Sequence, residues 1–150
     1  MGGIRHTATQ AMALAAAVKA SQTLRSLDIS ANPGIQREAL PDFIVGVSGS
    51  AISMLCVDLG ANATQLSGET LALVCKALEG QDLILLAKWV IHTKDTLHHV
   101  DLADNNGMFE SAAQEAPFGV FCEALCSATQ LETICLAGLD MDTAGESCCC

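Results

Sequence analysis

The chain is 150 residues long and 51% hydrophobic, enough apolar material for the core of one domain. Seven basic residues against 17 acidic ones give a net charge of −10, which repels phosphate backbones and leaves no Lys/Arg patch to release counterions, so nucleic acid is not an expected partner. Aromatic residues amount to 3%, so Leu, Ala, Val and Ile must fill the interior, a composition better suited to small repeated units than to a large catalytic pocket.

Along the chain, Met1 to Gln10 hold no apolar segment of the signal-peptide kind, and Gly2 fails the myristoylation pattern because His6 stands where Ser or Thr is required. An Ala-rich stretch, about Thr9 to Ala20, predicts a helix that leads directly into a strand. That strand opens a repeat. Leu24-Arg-Ser-Leu27-Asp-Ile29-Ser-Ala-Asn32 matches LxxLxLxxN, as do Met54 to Asn62 and Leu97 to Asn105; Leu131 to Leu139 keeps the apolar positions but has Leu in place of Asn. Strands are therefore expected near 24–30, 54–60, 97–103 and 131–137. Within each, alternation puts residues such as Leu27 and Ile29 on one face and Ser26, Asp28 and Ser30 on the other.

Asn32, Asn62 and Asn105 are the expected structural turn residues, because an amide buried at a turn donates and accepts at once. Loss of that amide at Leu139 predicts a fourth turn of different construction. Between strands, Leu71, Val74, Cys75 and Leu78, and again Phe118, Phe121, Cys122 and Leu125, follow i, i+3, i+4, i+7 spacing and predict helices. The strands recur at intervals of 30, 43 and 34 residues. Two readings of the longest interval stay open: a second helix through Leu83, Leu86, Ala87 and Val90, or a degenerate strand around Leu83 to Leu86. Asn106 to Pro117 reads as a long loop.

The apolar stretch Leu71 to Ile91 contains Lys76, Glu79, Gln81, Asp82 and Lys88, too polar for a bilayer span, so no transmembrane segment is expected. The eight cysteines include no CxxC pair outside the terminal Cys148–Cys150 run and read as reduced thiols of a cytoplasmic protein; that run reads as an exposed or artificial end.

Strand–helix units repeated in one direction give a parallel sheet, and strands spaced about 4.8 Å apart beside helices needing about 8–10 Å must curve. The expected fold class is thus α/β, a curved solenoid in a single domain, with a parallel sheet on the concave side and helices on the convex side. Units of about 30 residues with such strands resemble the ribonuclease-inhibitor-like branch of leucine-rich-repeat proteins. The uneven spacing and segments such as Leu71 to Gly80 are most similar to the repeats of the capping-protein-regulating (CARMIL) family. That resemblance implies a cytoplasmic scaffold in actin regulation. Related branches imply the alternatives of a small-GTPase regulator of the Ran-activator type or the repeat segment of an innate immune receptor.

On this reading the partner-binding residues are Ser26, Asp28, Asp58, His99, Asp101 and Thr133. Asp28, Asp58 and Asp101 share one repeat position and would form an acidic ladder suited to a protein partner with a basic surface, although a solvated structural row is the plainer interpretation. One of His98 and His99 is placed to titrate near a carboxylate. No oxygen-rich DxDxDG loop occurs, and Cys122 and Cys126 lack two further ligands, so neither metal nor cofactor is expected. No Ser/His/Asp signature, GxxxxGK loop or HExxH motif occurs, and the expectation is a protein that is not an enzyme. Too few residues follow the fourth strand to cover it, which predicts a fragment of a longer solenoid or self-association through an uncapped C-terminal end.

Overall fold

The computed structural model describes residues 3–32, 39–59, 62–74, 76, 78–105, 108 and 115–139. In chain order the elements are α1 (Gly3–Ala20), β1 (Ser26–Asp28), α2 (Leu40–Val47), β2 (Met54–Leu59), β3 (Asn62–Ser67), β4 (Thr70–Ala72), α3 (Gly80–His92), β5 (His99–Asp101), α4 (Glu115–Cys126) and β6 (Thr133–Cys135). The Cys148–Cys150 run, Gly2, Cys75 and most of Asn106 to Pro117 lie outside the described residues.

The strands form two three-stranded sheets, β1-β2-β3 and β4-β5-β6. The expected solenoid with one parallel sheet is therefore corrected to a small mixed α/β fold. β1 and β2 run parallel, but the chain turns back after Leu59 and β3 pairs antiparallel with β2, Leu59 opposite Asn62 and Met54 opposite Ser67. That hairpin occupies the edge of β2 on which a parallel ladder would have continued. The second sheet restarts as an all-parallel set.

Local pattern explains the departures. Ala63 to Ser67 alternates, with Thr64 and Leu66 buried, as a strand half-covered by a core requires. Where a helix was expected from Leu71, Thr70–Ala72 forms β4: Leu71 and Leu73 are fully buried on one face while Ala72 is exposed on the other. A short apolar run fits either period, and here pairing with β5 decides it. Gly80–His92 is helical, so the degenerate-strand reading of Leu83 to Leu86 falls. Its first turn is fixed by Asp82, 3% exposed, whose carboxylate accepts the Glu79 amide at 2.9 Å.

One hydrophobic cluster joins the helices to the inner faces of both sheets, from Ala11 and Val18 of α1 to Leu139 beyond β6. Its largest buried side chain is Trp89 of α3, whose indole N–H donates to the Ser67 carbonyl at 2.9 Å. The Thr96 hydroxyl donates to the Gly68 carbonyl at 2.8 Å, and the Gly68 amide donates to the Ser53 carbonyl at 2.7 Å. These bonds fix the junction between the sheets. Among the described residues, no helix is long and apolar enough to cross a membrane.

Candidate partner-binding surface

Each sheet turns one face to the core and leaves the other in solvent, so the outward rows follow from register. In the first sheet they are Ser26–Met54–Ser67 and Asp28–Cys56–Gln65, with Asp58 opposite Ala63 one step further on. In the second they are Thr70–His99–Thr133 and Ala72–Asp101–Cys135. Ser26, Asp28, His99 and Thr133 are exposed; Asp58 and Asp101 are half-buried.

The acidic ladder does not form. Parallel pairing sets Asp28 abreast of Cys56, not Asp58, and Asp101 belongs to the other sheet between Ala72 and Cys135. The repeat reading placed Met54 where Leu24 stands, whereas the ladder pairs Met54 with Ser26 and Leu55 with Leu27, a shift of two residues. Such a shift keeps inward residues inward, which is why the alternation concealed it.

The carboxylates build turns. Asp28 Oδ1 accepts from the Ser30 amide at 2.9 Å and the Ser30 hydroxyl at 2.6 Å, and Asp101 Oδ1 accepts from the Ala103 amide at 3.0 Å. Asp58 reaches across the strands to the Ala31 amide at 2.8 Å, bracing a residue whose φ is 56°. The Ser30 hydroxyl, followed by its amide, holds the Asp28 carboxyl below its ordinary range. Burial pushes the Cys56 thiol up, and the neighbouring Asp28 and Asp58 charges act in the same direction. His98 Nδ1 lies 3.4 Å from the carboxylate of Glu132, the residue before β6, and the His98 and His99 rings are 6.2 Å apart.

The three asparagines occupy different settings. Asn105 is fully buried: its amide donates to the carbonyls of Leu73 (2.8 Å), Leu102 (2.8 Å) and Ala103 (3.2 Å), and its oxygen accepts from the amides of Lys76 (3.0 Å) and Leu78 (3.2 Å). It ties the turn after β5 to the segment after β4. Asn32 is exposed and donates to the Ile29 and Ser30 carbonyls. Asn62 does not follow a strand at a turn: it begins β3, because the hairpin brings it opposite Leu59. At the fourth turn Gly138 has φ 69°, matching Asp104 at 59°, so the left-handed backbone residue is kept; the next position carries a buried Leu139 instead of an amide.

Among the described residues no three His, Cys, Asp or Glu side chains cluster as a metal site, and Cys56, Cys126 and Cys135 are free thiols. Thr70 and Gln65 are surface positions the repeat missed; the alternation of Ala63 to Ser67 and of Thr70 to Leu73 was the signal that could have revealed both strands. The chain matches no family model, no curated protein and no solved structure.

Proposed function

We propose that this chain is a non-catalytic protein-interaction module of a reducing, cytoplasmic setting, holding a partner with a basic surface on the outward rows of its two sheets. The carrying observation is the asymmetry of the sheets: Leu55, Leu71 and Val100 lie against the core, while Ser26, Asp28, Thr70, His99 and Thr133 stand in solvent. Among the described residues, none of the six strands contains Lys or Arg, and three contain Asp. A surface of that sign over a chain of net charge −10 favours encounter with a basic partner. The thiols of Cys56, Cys126 and Cys135 support the reducing setting.

The test is fluorescence-anisotropy titration with a labelled Lys/Arg-rich peptide, beside a Glu-rich control. Asp28→Asn and Asp101→Asn keep an oxygen to accept the Ser30 and Ala103 amides but remove the charge. Each should weaken basic-peptide binding by about tenfold, the size of a lost charge-assisted hydrogen bond. Equal affinity for the wild type and both variants refutes the reading.

A further inference from the structure

The parallel pairs are joined by one hydrogen-bond pattern, repeated three times. In β1–β2 the Arg25 carbonyl accepts the Ser53 and Met54 amides at 2.8 and 3.0 Å, and the Ile29 N–H donates to the Cys56 carbonyl at 2.9 Å. In β4–β5 the Glu69 carbonyl accepts the His98 and His99 amides at 2.9 and 3.2 Å, and the Leu73 N–H donates to Asp101 at 2.8 Å. In β5–β6 the His98 carbonyl accepts the Glu132 and Thr133 amides at 2.8 and 3.1 Å, and the Leu102 N–H donates to Cys135 at 2.9 Å. The earlier strand thus always offers a carbonyl and, four residues on, an N–H. The later strand answers with two entry amides and a carbonyl.

On β6 the offering groups are the Glu132 carbonyl and the Leu136 N–H, neither bonded among the described residues. On β1, at the outer edge of the other sheet, the answering groups are the Arg25 and Ser26 amides and the Asp28 carbonyl, likewise unbonded among the described residues. One edge is the hydrogen-bonding complement of the other. Side chains agree. Ile134 is 44% exposed on β6, whereas Val100, its partner in the preceding strand, is 1% exposed.

We infer that the β6 edge of one molecule receives the β1 edge of a second copy as a parallel strand, with Thr133 abreast of Ser26, Ile134 of Leu27 and Cys135 of Asp28. This goes beyond the partner surface proposed above, because it uses strand edges and not outward faces. Leu27, half-buried, covers Ile134 as Ile134 stands beside Val100. Cys135 beside Asp28 reproduces the Asp28–Cys56 and Asp101–Cys135 pairs already inside the molecule. The same register puts Arg25 abreast of Glu132; both are exposed and of opposite sign.

Charge follows the same polarity over a longer range. Residues 1–32 carry Arg5, Lys19 and Arg25 against Asp28 alone, while residues 115–139 carry Glu115, Glu123 and Glu132 with no Lys or Arg. The helix of the incoming copy enters through an exposed face of small side chains, Ala13, Ala16, Ala17 and Ala20 of α1, which permits close approach. The contact is heterologous, so each copy keeps one unused edge at either end of the assembly and growth continues unless the rotation closes a ring.

Size-exclusion chromatography with light scattering on the full chain tests this. The wild type should rise in mass with concentration and fall back with added salt, which screens the exposed Arg25–Glu132 pair. Ile134→Lys blocks only the β6 edge and Arg25→Glu only the β1 edge, so each alone should stay at the mass of one chain. Mixed, they should stop at two chains, since each supplies the edge the other lacks. A wild type that stays at one chain at all concentrations overturns the proposal; so does a Leu136 amide protected from exchange in such a monomer, which means that another segment of the same chain covers the edge. Association of Arg25→Glu equal to wild type would indicate a symmetric β6–β6 contact and also overturns it. Circular dichroism melts establish that both variants are folded.

Discussion

Replacing Asn105 by Ala should cost far more stability than replacing Asn32 by Ala, although both residues follow a strand in the same repeat. The Asn105 side chain is 0% exposed and satisfies five backbone groups on two segments. Removing it strands the Lys76 and Leu78 amides, each costing about 1–3 kcal/mol when left unsatisfied. The three carbonyls have second lone pairs and tolerate the loss better. The expected total is therefore about 4 kcal/mol, a large share of the roughly 5–15 kcal/mol that holds a domain of this kind together. Asn32 makes two bonds at an exposed turn, where water replaces it, for about 0.5–1 kcal/mol. Urea unfolding followed by the fluorescence of Trp89, the single Trp, measures both. With a slope near 1–3 kcal/mol/M, Asn105→Ala should lower the midpoint by roughly 2 M and Asn32→Ala by a few tenths. Similar midpoints for the two variants would refute the assignment of Asn105 as a satisfied buried bridge.

Two further outcomes follow from the turns. The Asp28 carboxyl titrates below its ordinary value of 3.8 in the folded chain, so its contribution to stability is present above that value and is lost as pH falls through the lowered folded one. Ser30→Ala removes the largest cause and should move the Asp28 titration upward in carbon-detected NMR; an unmoved titration contradicts the cause. Gly138→Ala forces an L side chain into φ 69° and sets its Cβ against Asp104 Oδ1, so thermal unfolding should show a loss of about 1–2 kcal/mol, and an unchanged melt would mean that this turn relaxes freely.

The sequence made the inward residues of three strands legible, because Ile29, Val57 and Leu59, and Val100 and Leu102 are buried on a period of two that holds whichever strand is the neighbour, while Ile134 in the fourth is 44% exposed. Observed strands are shorter than the repeat implied, Ser26–Asp28 within 24–30 and His99–Asp101 within 97–103. Helix α4 was legible from its periodic run and α1 from its Ala-rich stretch, whereas α3 was one of two open readings that the structure decides. What pattern alone does not encode is pairing. The LxxLxLxxN spacing was satisfied from Met54, yet the ladder begins two residues earlier relative to β1, and a two-residue slip leaves the apolar face unchanged. The hairpin was hidden because Asn62 matched the repeat's Asn while also serving as the first residue of a returning strand. Leu71 to Leu78 satisfied a helical period that a parallel neighbour then overrode. The candidate surface shows the same mixture: His99 lies abreast of Thr133 as the repeat spacing requires, whereas Asp28 lies abreast of Cys56 and not of Asp58.

The hairpin changes what the surface can hold. A single continuous ladder would align its carboxylates for one long partner; two three-stranded sheets offer two short faces, with Asp28 and Asp58 on one and Asp101 on the other. A partner that reads both must bridge the junction at Gly68, where Thr96 and Ser53 fix the backbone and leave little freedom for the faces to adjust. A partner that reads one face needs a compact basic patch and would be indifferent to the other. Asp28→Asn and Asp101→Asn distinguish these cases: a bridging partner loses affinity for each variant, with the two losses adding in the double variant, whereas a partner that reads one face loses affinity for one variant and binds the other as it binds the wild type.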